Sequence, residues 1–190
     1  MTAIELKNLY LGELFTSGKG AKSIPITYSG RLEHVQWTPD EPQQVAFEPT
    51  AFNGEDVARV NLVMVASPEV SDALAELDDH LITLATENSQ RIFGKQLTNV
   101  EVFGRYTSSI KISDKGYQPT FRTKINLSGR GEVQCWDGDK NKRPKPESWI
   151  RCKVQPKITL RSLWLMGKQF GALYECSSVL VEQRGEECPF

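Results

Sequence analysis

The apolar residues of this chain change their spacing twice, and that change limits the folds the chain can adopt. Over most of the sequence they alternate with polar residues in short runs interrupted by glycine and proline, as is typical of β-strands. Between residues 68 and 86 they recur at three- and four-residue intervals, which predicts an amphipathic helix. Ser67, Pro68 and Glu69 are start signals for that helix: a capping hydroxyl, an N-terminal proline and a first-turn acid. We therefore expect a mostly β chain with one α-helix at about 68–86.

Strand candidates lie on both sides of this helix. On the N-terminal side, within a strand-rich part at 1–66, they are 4–7, 24–27, 33–37, 45–48 and 57–66. On the C-terminal side, within a part at 91–182, they are 100–106, 109–113, 120–127, 132–136, 149–154, 158–166 and 172–181. The length of 190 residues suits one domain, which we expect over 1–182.

Neither a membrane segment nor a metal site is predicted. No apolar run approaches the ~20 residues needed to cross a bilayer, and the N-terminus lacks the pattern of a signal peptide, so we expect a cytoplasmic protein. Four cysteines have no finger-like spacing, which predicts buried thiols and neither metal nor cofactor. They are Cys135, Cys152, Cys176 and Cys188.

The net charge of −1 hides a strong segregation of charge. Residues 91–168 hold 17 Lys and Arg against 6 Asp and Glu, whereas the rest of the chain holds 6 and 18. Such segregation creates a positive field over one part of the surface. An anionic partner is therefore expected at the basic, β-rich part of the chain.

Side chains alternate across a strand, so each predicted strand can be divided into a core face and an outer face. Phe121 and Trp164 lie on apolar faces and are expected in the core. The outer faces collect Lys111, Arg122, Lys124, Trp136, Trp149, Arg151 and Lys153. The polar segment 137–147 is expected to be a flexible loop that brings Lys142, Arg143 and Lys145 over the same surface.

Tryptophans among cations have the composition of a single-strand binding surface. Bases stack on aromatic rings, while Lys and Arg contact the phosphates. We therefore expect these ten residues to bind single-stranded DNA without sequence specificity. Whether RNA is also bound, and whether the chain forms a homo-oligomer, stays open.

The ending QRGEECPF, residues 183–190, places Glu186 and Glu187 before Pro189 and Phe190. It resembles the acidic, aromatic-terminated tail of bacterial and bacteriophage single-stranded DNA-binding proteins. Residues 121–181, about a third of the chain, resemble the closing strands of viral and phage members with the OB-fold. The resemblance implies an OB-type barrel with an added N-terminal strand layer. It also implies a role in phage replication or recombination in the host cytoplasm, with the tail recruiting replication or recombination proteins.

Two other functions stay open at this point. A virion or assembly protein with a charged β-sandwich has a similar composition. A Mg²⁺-dependent nuclease could use the dispersed carboxylates of Asp114, Glu132 and Asp137. No nucleophile or metalloprotease motif is present, and the glycine-rich segment 17–23 lacks the Gly-Lys-Ser/Thr of a phosphate loop, so no enzyme is expected.

Overall fold

The computed structural model describes residues 5–18, 20–29, 33–49 and 58–182. The chain is mostly β, as predicted, and its main helix is α1, Pro68–Glu87. Two short helices follow, α2 at Ser89–Phe93 and α3 at Asn99–Phe103. No described helix is both long and apolar enough to span a bilayer.

Thirteen strands lie in the described part of the chain. The N-terminal ones are β1 Leu9–Leu11, β2 Phe15–Thr16, β3 Lys22–Tyr28, β4 Gln36–Trp37, β5 Gln43–Gln44 and β6 Arg59–Val65. After the helices come β7 Tyr106–Thr107, β8 Ile110–Lys111, β9 Thr120–Asn126, β10 Gln134–Trp136, β11 Lys142–Arg143, β12 Lys153–Met166 and β13 Gln169–Val181. The strand predicted at 4–7 is wrong where it is described, because Leu6–Asn8 form a 3-10 turn.

The longest strands form a closed barrel. β12 and β13 pair as an antiparallel hairpin, and β13 contacts β9 in parallel at Glu175 and Lys124. β9 pairs with β6, which meets the segment after β5 through the bridge between Val45 and Met64. β5 returns to β12 through Gln44 and Lys153, which closes the ring. The core of the molecule lies inside this ring and under α1.

An N-terminal layer extends the barrel, in agreement with the sequence. β3 pairs with the C-terminal half of β12, next to the hairpin turn, and β1 and β2 pair with β3. The turn end of the β12–β13 hairpin is thereby covered on one edge by N-terminal strands.

Helix α1 follows its sequence signals. The Ser67 hydroxyl accepts a hydrogen bond from the Val70 amide at 3.3 Å, and the apolar stripe that includes Val70, Leu74 and Leu81 is buried. Asp78, an acidic residue of the same helix, is buried as well. Its carboxylate accepts hydrogen bonds from the Tyr106 hydroxyl at 2.7 Å and the Ser109 amide at 2.8 Å, which join α1 to the β7–β8 segment.

The strand predicted at 100–106 is wrong in its first part, because α3 occupies Asn99–Phe103. Thr98 and Glu101 form a capping box in which each side chain satisfies the other residue's amide. Gly104 ends the helix, and only Tyr106 belongs to a strand.

The strand predicted at 149–154 begins later than expected, at Lys153. The Glu48 carboxylate accepts hydrogen bonds from the amides of Trp149 and Ile150, which holds 148–151 in a turn. Arg151 has φ of 63°, so the alternation of faces is broken there. As a result Trp149 is 3% exposed and Ile150 is 41% exposed, the reverse of the prediction.

Three of the four cysteines are described, and all three are free and buried, as predicted. They are Cys135, Cys152 and Cys176. Burial raises the pKa of the Cys176 thiol to about 12, which keeps it protonated and unreactive at neutral pH.

Candidate nucleic-acid interface

The outer face of β9 carries a basic surface, to which β8 and β6 each add a cation, Lys111 and Arg59. In β9, Phe121 and Ile125 are buried, while Arg122 and Lys124 project outward, as the alternation predicts. Lys124 pairs with Asn61 of β6, and Lys111 of β8 pairs with Thr120, so Lys111 lies on the same face. Three predicted site residues, Lys111, Arg122 and Lys124, are therefore on one surface.

Lys124 is the least exposed of the cations Arg59, Lys111, Arg122 and Lys124 on this surface. Its side chain is half-buried, and burial lowers its pKa from the usual lysine value. The neighbouring positive charges of Arg59 and Arg122 lower the pKa further. Like charges held this close favour the binding of an anion that neutralises them.

The nearest acid on this face is already paired. Glu175 of β13 lies opposite Lys124 and makes ion pairs with Arg59 and with Arg161, the latter at 2.7 Å. One carboxylate therefore faces three cations, and the local charge stays positive.

An open groove of about 1230 Å³ continues from Arg122 and Lys124 along the β12–β13 hairpin. No described residue that lines it has a carboxylate side chain. We call it the cationic groove, after its basic lining residues Lys22, Arg91, Arg105, Arg122, Lys124 and Lys168.

Two of these cations also stabilise the groove wall. Arg91 of α2 donates hydrogen bonds to the carbonyls of Leu11 and Gly12, which ties the helix to the N-terminal layer. The Arg105 guanidinium lies 5.3 Å from the centre of the Phe93 ring. Both groups are consequently held in place on one side of the groove.

Trp164 lines the groove and is only half-buried, so its predicted core position is wrong. It pairs with Gly171 of β13. A Cβ atom on Gly171 would lie 2.9 Å from the indole Cζ2, which shows that the indole lies against the backbone of the glycine. The absence of a side chain at position 171 therefore makes room for the ring on the outer face of the sheet. Phe121, the other aromatic expected in the core, is buried.

Trp136, Lys142 and Lys153 lie on the outer face near the other end of the hairpin, and we call them the distal patch. Trp136 pairs with Lys142 on one side and with Leu180 of β13 on the other. Leu180 lies five residues along β13 from Glu175, roughly 16 Å at the usual strand rise. The distal patch and the cationic groove are thus separate parts of one outer face.

The remaining predicted cations have other roles or other places. Arg143 donates to the Val181 carbonyl at 3.4 Å, and Lys145 pairs with Glu132 and the Leu127 carbonyl. The segment expected to be a flexible loop is partly a hairpin, because β11 pairs with β10. Arg151 is exposed in the turn before β12.

Trp149 is removed from the candidate site. Its ring is buried under the turn that Glu48 holds, so it cannot stack on a base without leaving the core. The three carboxylates considered for a metal site do not come together either. Glu132 is paired with Lys145, the Asp137 carboxylate accepts from the Asn141 amide at 2.8 Å, and the described residues contain no cluster suited to a metal.

The predicted partner-binding residues Glu186, Glu187, Pro189 and Phe190 lie outside the described residues. Sequence reasoning missed Lys22, Arg91, Arg105, Trp164 and Lys168 of the groove. Four of these five belong to the basic stretch 91–168, so the charge count pointed to the region. Only the strand pairing brings Lys22 to it.

No family model matches the sequence, and neither does any curated protein. The fold is similar to that of the single-stranded DNA-binding protein of bacteriophage Enc34, solved in complex with single-stranded DNA. The TM-score is 0.52 at 8% identity, over 92% of this chain and 96% of that one. A C-terminally truncated form of the Enc34 protein gives 0.51 at 10% identity, over 91% and 96%.

A third solved structure is gp2.5, a single-stranded DNA-binding protein encoded by bacteriophage T7. Its TM-score is 0.49 at 12% identity, over 82% of this chain and 92% of that one. The expected resemblance to phage single-stranded DNA-binding proteins is therefore confirmed at the level of the fold, by the Enc34 protein.

Proposed function

We propose that the protein binds single-stranded DNA without sequence specificity, with phosphates in the cationic groove and a base on Trp164. The observation that carries the proposal is a groove with six cations, an outward-facing indole and no carboxylate among its described lining residues. Such binding has two elements: cations that contact the phosphates of the DNA backbone, and aromatic rings on which any base can stack.

The barrel supports the same proposal. We infer that the closed ring of β5, β6, β9, β12 and β13 is an OB-type barrel, a fold that binds oligonucleotides across its strands and loops. The Enc34 protein, whose fold is similar, was solved with single-stranded DNA. A role in phage replication or recombination, with the acidic tail contacting other proteins, belongs to this proposal and is consistent with these relationships.

The distal patch extends the proposed path. Trp136, Lys142 and Lys153 offer one half-buried indole and two exposed cations on the outer face shared with the groove. A strand long enough to leave the groove along β13 would reach them. Arg151 is exposed next to this end of β12 and adds a further phosphate contact.

Titration of the tryptophan fluorescence with oligo-dT tests the proposal. Stacking on Trp164 should quench the emission. If four to six phosphates are neutralised, log affinity should fall against log salt with a slope of about −3 to −4. An emission that oligo-dT leaves unchanged would contradict the proposal and favour a structural role in a virion. Loss of labelled oligonucleotide on addition of Mg²⁺ would point to a nuclease.

The double variant Arg122→Gln/Lys124→Gln tests the groove itself. Loss of two phosphate contacts should make the salt slope shallower by about 1.4 and weaken binding. The matched control is Lys7→Gln/Arg130→Gln, because both residues are exposed, lie outside the groove lining and the distal patch, and the variant removes the same charge. Equal salt slopes for the two double variants would place the DNA elsewhere.

A further inference from the structure

A second aromatic ring lies in the same cross-strand row as Trp164. Phe15 of β2 pairs with Ser23 of β3, and Ser23 pairs in turn with Trp164 of β12. Trp164 then pairs with Gly171 of β13. Residues directly opposite each other in antiparallel strands project to the same face, so the row Phe15, Ser23, Trp164, Gly171 shares one face.

The row alternates large rings with small residues. Phe15 is 60% exposed, and the Trp164 ring lies against Gly171, on the side away from Phe15. Adjacent strands lie roughly 4.8 Å apart, so the two aromatic residues are about 10 Å apart across Ser23. The hydroxymethyl group of Ser23 is too small to fill that space. A nucleotide stacked on one ring can therefore have a neighbour stacked on the other.

Two cations of the groove lie near the row, one on the strand between the two rings and one at the hairpin tip. Lys22 precedes Ser23 in β3 and lines the cationic groove. It pairs with Thr16 and Leu165, so alternation places it on the face opposite to Phe15 and Trp164. Lys168 lies in the turn that joins β12 to β13 and lines the same groove, so it is the lysine for a phosphate that links two stacked nucleotides here.

We propose that Phe15 is a second stacking residue, so that the bound strand crosses β12, β3 and β2 instead of following one strand. This inference rests on the proposed function, because it assumes that single-stranded DNA occupies the groove. It goes further in giving the direction of the path and in assigning a base contact to the N-terminal layer.

The variant Phe15→Leu keeps an apolar side chain and removes the ring. Affinity for oligo-dT should fall at least about fivefold, the lower limit for the loss of one stacked base. Phe103→Leu is the matched control, because Phe103 is 63% exposed and lies in α3, outside the row of Phe15, Ser23, Trp164 and Gly171. Unfolding curves of both variants should match the parent, since neither ring is in the core.

A gain-of-signal variant gives an independent reading. Phe15→Trp keeps a stacking ring, so affinity should be retained and the added indole should be quenched by oligo-dT. Parent affinity in Phe15→Leu, or an added indole whose emission does not respond, would overturn the inference.

The two proposals fail in different ways. If Arg122→Gln/Lys124→Gln weakens binding while Phe15→Leu does not, the groove stands and only the path across β3 and β2 is wrong. If neither variant changes the affinity, the groove is not the DNA site and both proposals fall.

Discussion

At the scale of single residues, the charge of Lys124 is unfavourable for folding but favourable for binding of a phosphate. It is half-buried on the outer face of β9, and burial together with Arg59 and Arg122 lowers its pKa. A lysine whose pKa is lower in the folded chain destabilises the fold while it is protonated. A phosphate would bind this charge. Bound DNA should therefore reduce the repulsion between Lys124 and the neighbouring Arg59 and Arg122.

Lys124→Met should therefore raise the free energy of unfolding at neutral pH and weaken DNA binding. The salt slope of binding should become shallower by about 0.7, the contribution of one phosphate on a single strand. Chemical denaturation and fluorescence titration measure the two effects. A variant that is both less stable and weaker in binding would show that Lys124 serves packing instead.

The pH dependence has a defined sign. The unfolded chain keeps its proton up to the usual lysine pKa of about 10.4, whereas folded Lys124 loses its proton earlier. In the window between the two pKa values, the unfolded state binds more protons, so parent stability rises with pH relative to Lys124→Met. Lys124→Arg should lack this rise, because arginine stays charged.

Three aromatic residues show where residue-level prediction succeeds and fails. Alternation correctly separates Phe121 from Arg122, because β9 is regular over its whole length. It fails for Trp149, because Glu48, a hundred residues away, holds a turn that interrupts the alternation. It fails for Trp164 as well, because a register shift between Leu160 and Ser162 interrupts the alternation of faces in β12.

At the scale of elements, local signals predicted α1 but not α2 or α3. The cap, the proline and the apolar stripe of α1 are all within its own sequence. The capping box of α3, Thr98 with Glu101, is equally local, although the β-branched Val100 and Val102 favoured a strand. The β12–β13 hairpin depends in contrast on a long-range feature, the register that sets Trp164 over Gly171.

Gly171→Ala tests this register. The new Cβ would lie 2.9 Å from both the Thr107 carbonyl oxygen and the Trp164 ring, so one of them must move. We expect a loss of about 1–3 kcal/mol in the free energy of unfolding, as for other overpacked sites, and weaker quenching by oligo-dT.

Gly138→Ala is the control for Gly171→Ala, because nothing lies within 4 Å of the Cβ that it would add. Its stability and DNA affinity should match the parent. If Gly171→Ala also matches the parent in both, the indole has room to lie elsewhere and Gly171 does not position it.

At the scale of the whole molecule, the separation of positive from negative charge provides the surface on which DNA is proposed to bind. Residues 91–168 carry most of the positive charge, and the folded chain arranges part of it along one groove. The acidic end of the sequence has the opposite sign and can compete with DNA for cations or contact a partner.

Deletion of residues 186–190 should leave binding to oligo-dT unchanged or tighter, because it removes two carboxylates that repel phosphates. The full chain should pull down replication or recombination proteins, and the deletion variant should not. Weaker DNA binding after deletion would contradict a role for the tail in recruitment, because it would make the tail part of the DNA site. The matched control is Glu186→Gln/Glu187→Gln, which removes the charge and keeps Phe190.

The amino-acid sequence alone determined the mostly β class, the position of α1 and the part of the chain that carries the positive charge. Each of these depends on residues close together in sequence, through periodicity, capping or local composition. Only the tertiary structure decided which cations share a groove, that Trp164 faces outward and that Trp149 is buried. Those properties depend on contacts between segments that are separate in the sequence. Pairing of β3 with β12 brings Lys22 to the groove, and pairing of β12 with β13 places Trp164 against Gly171. The hydrogen bonds of Glu48 to the turn at 148–151 place Trp149 in the core.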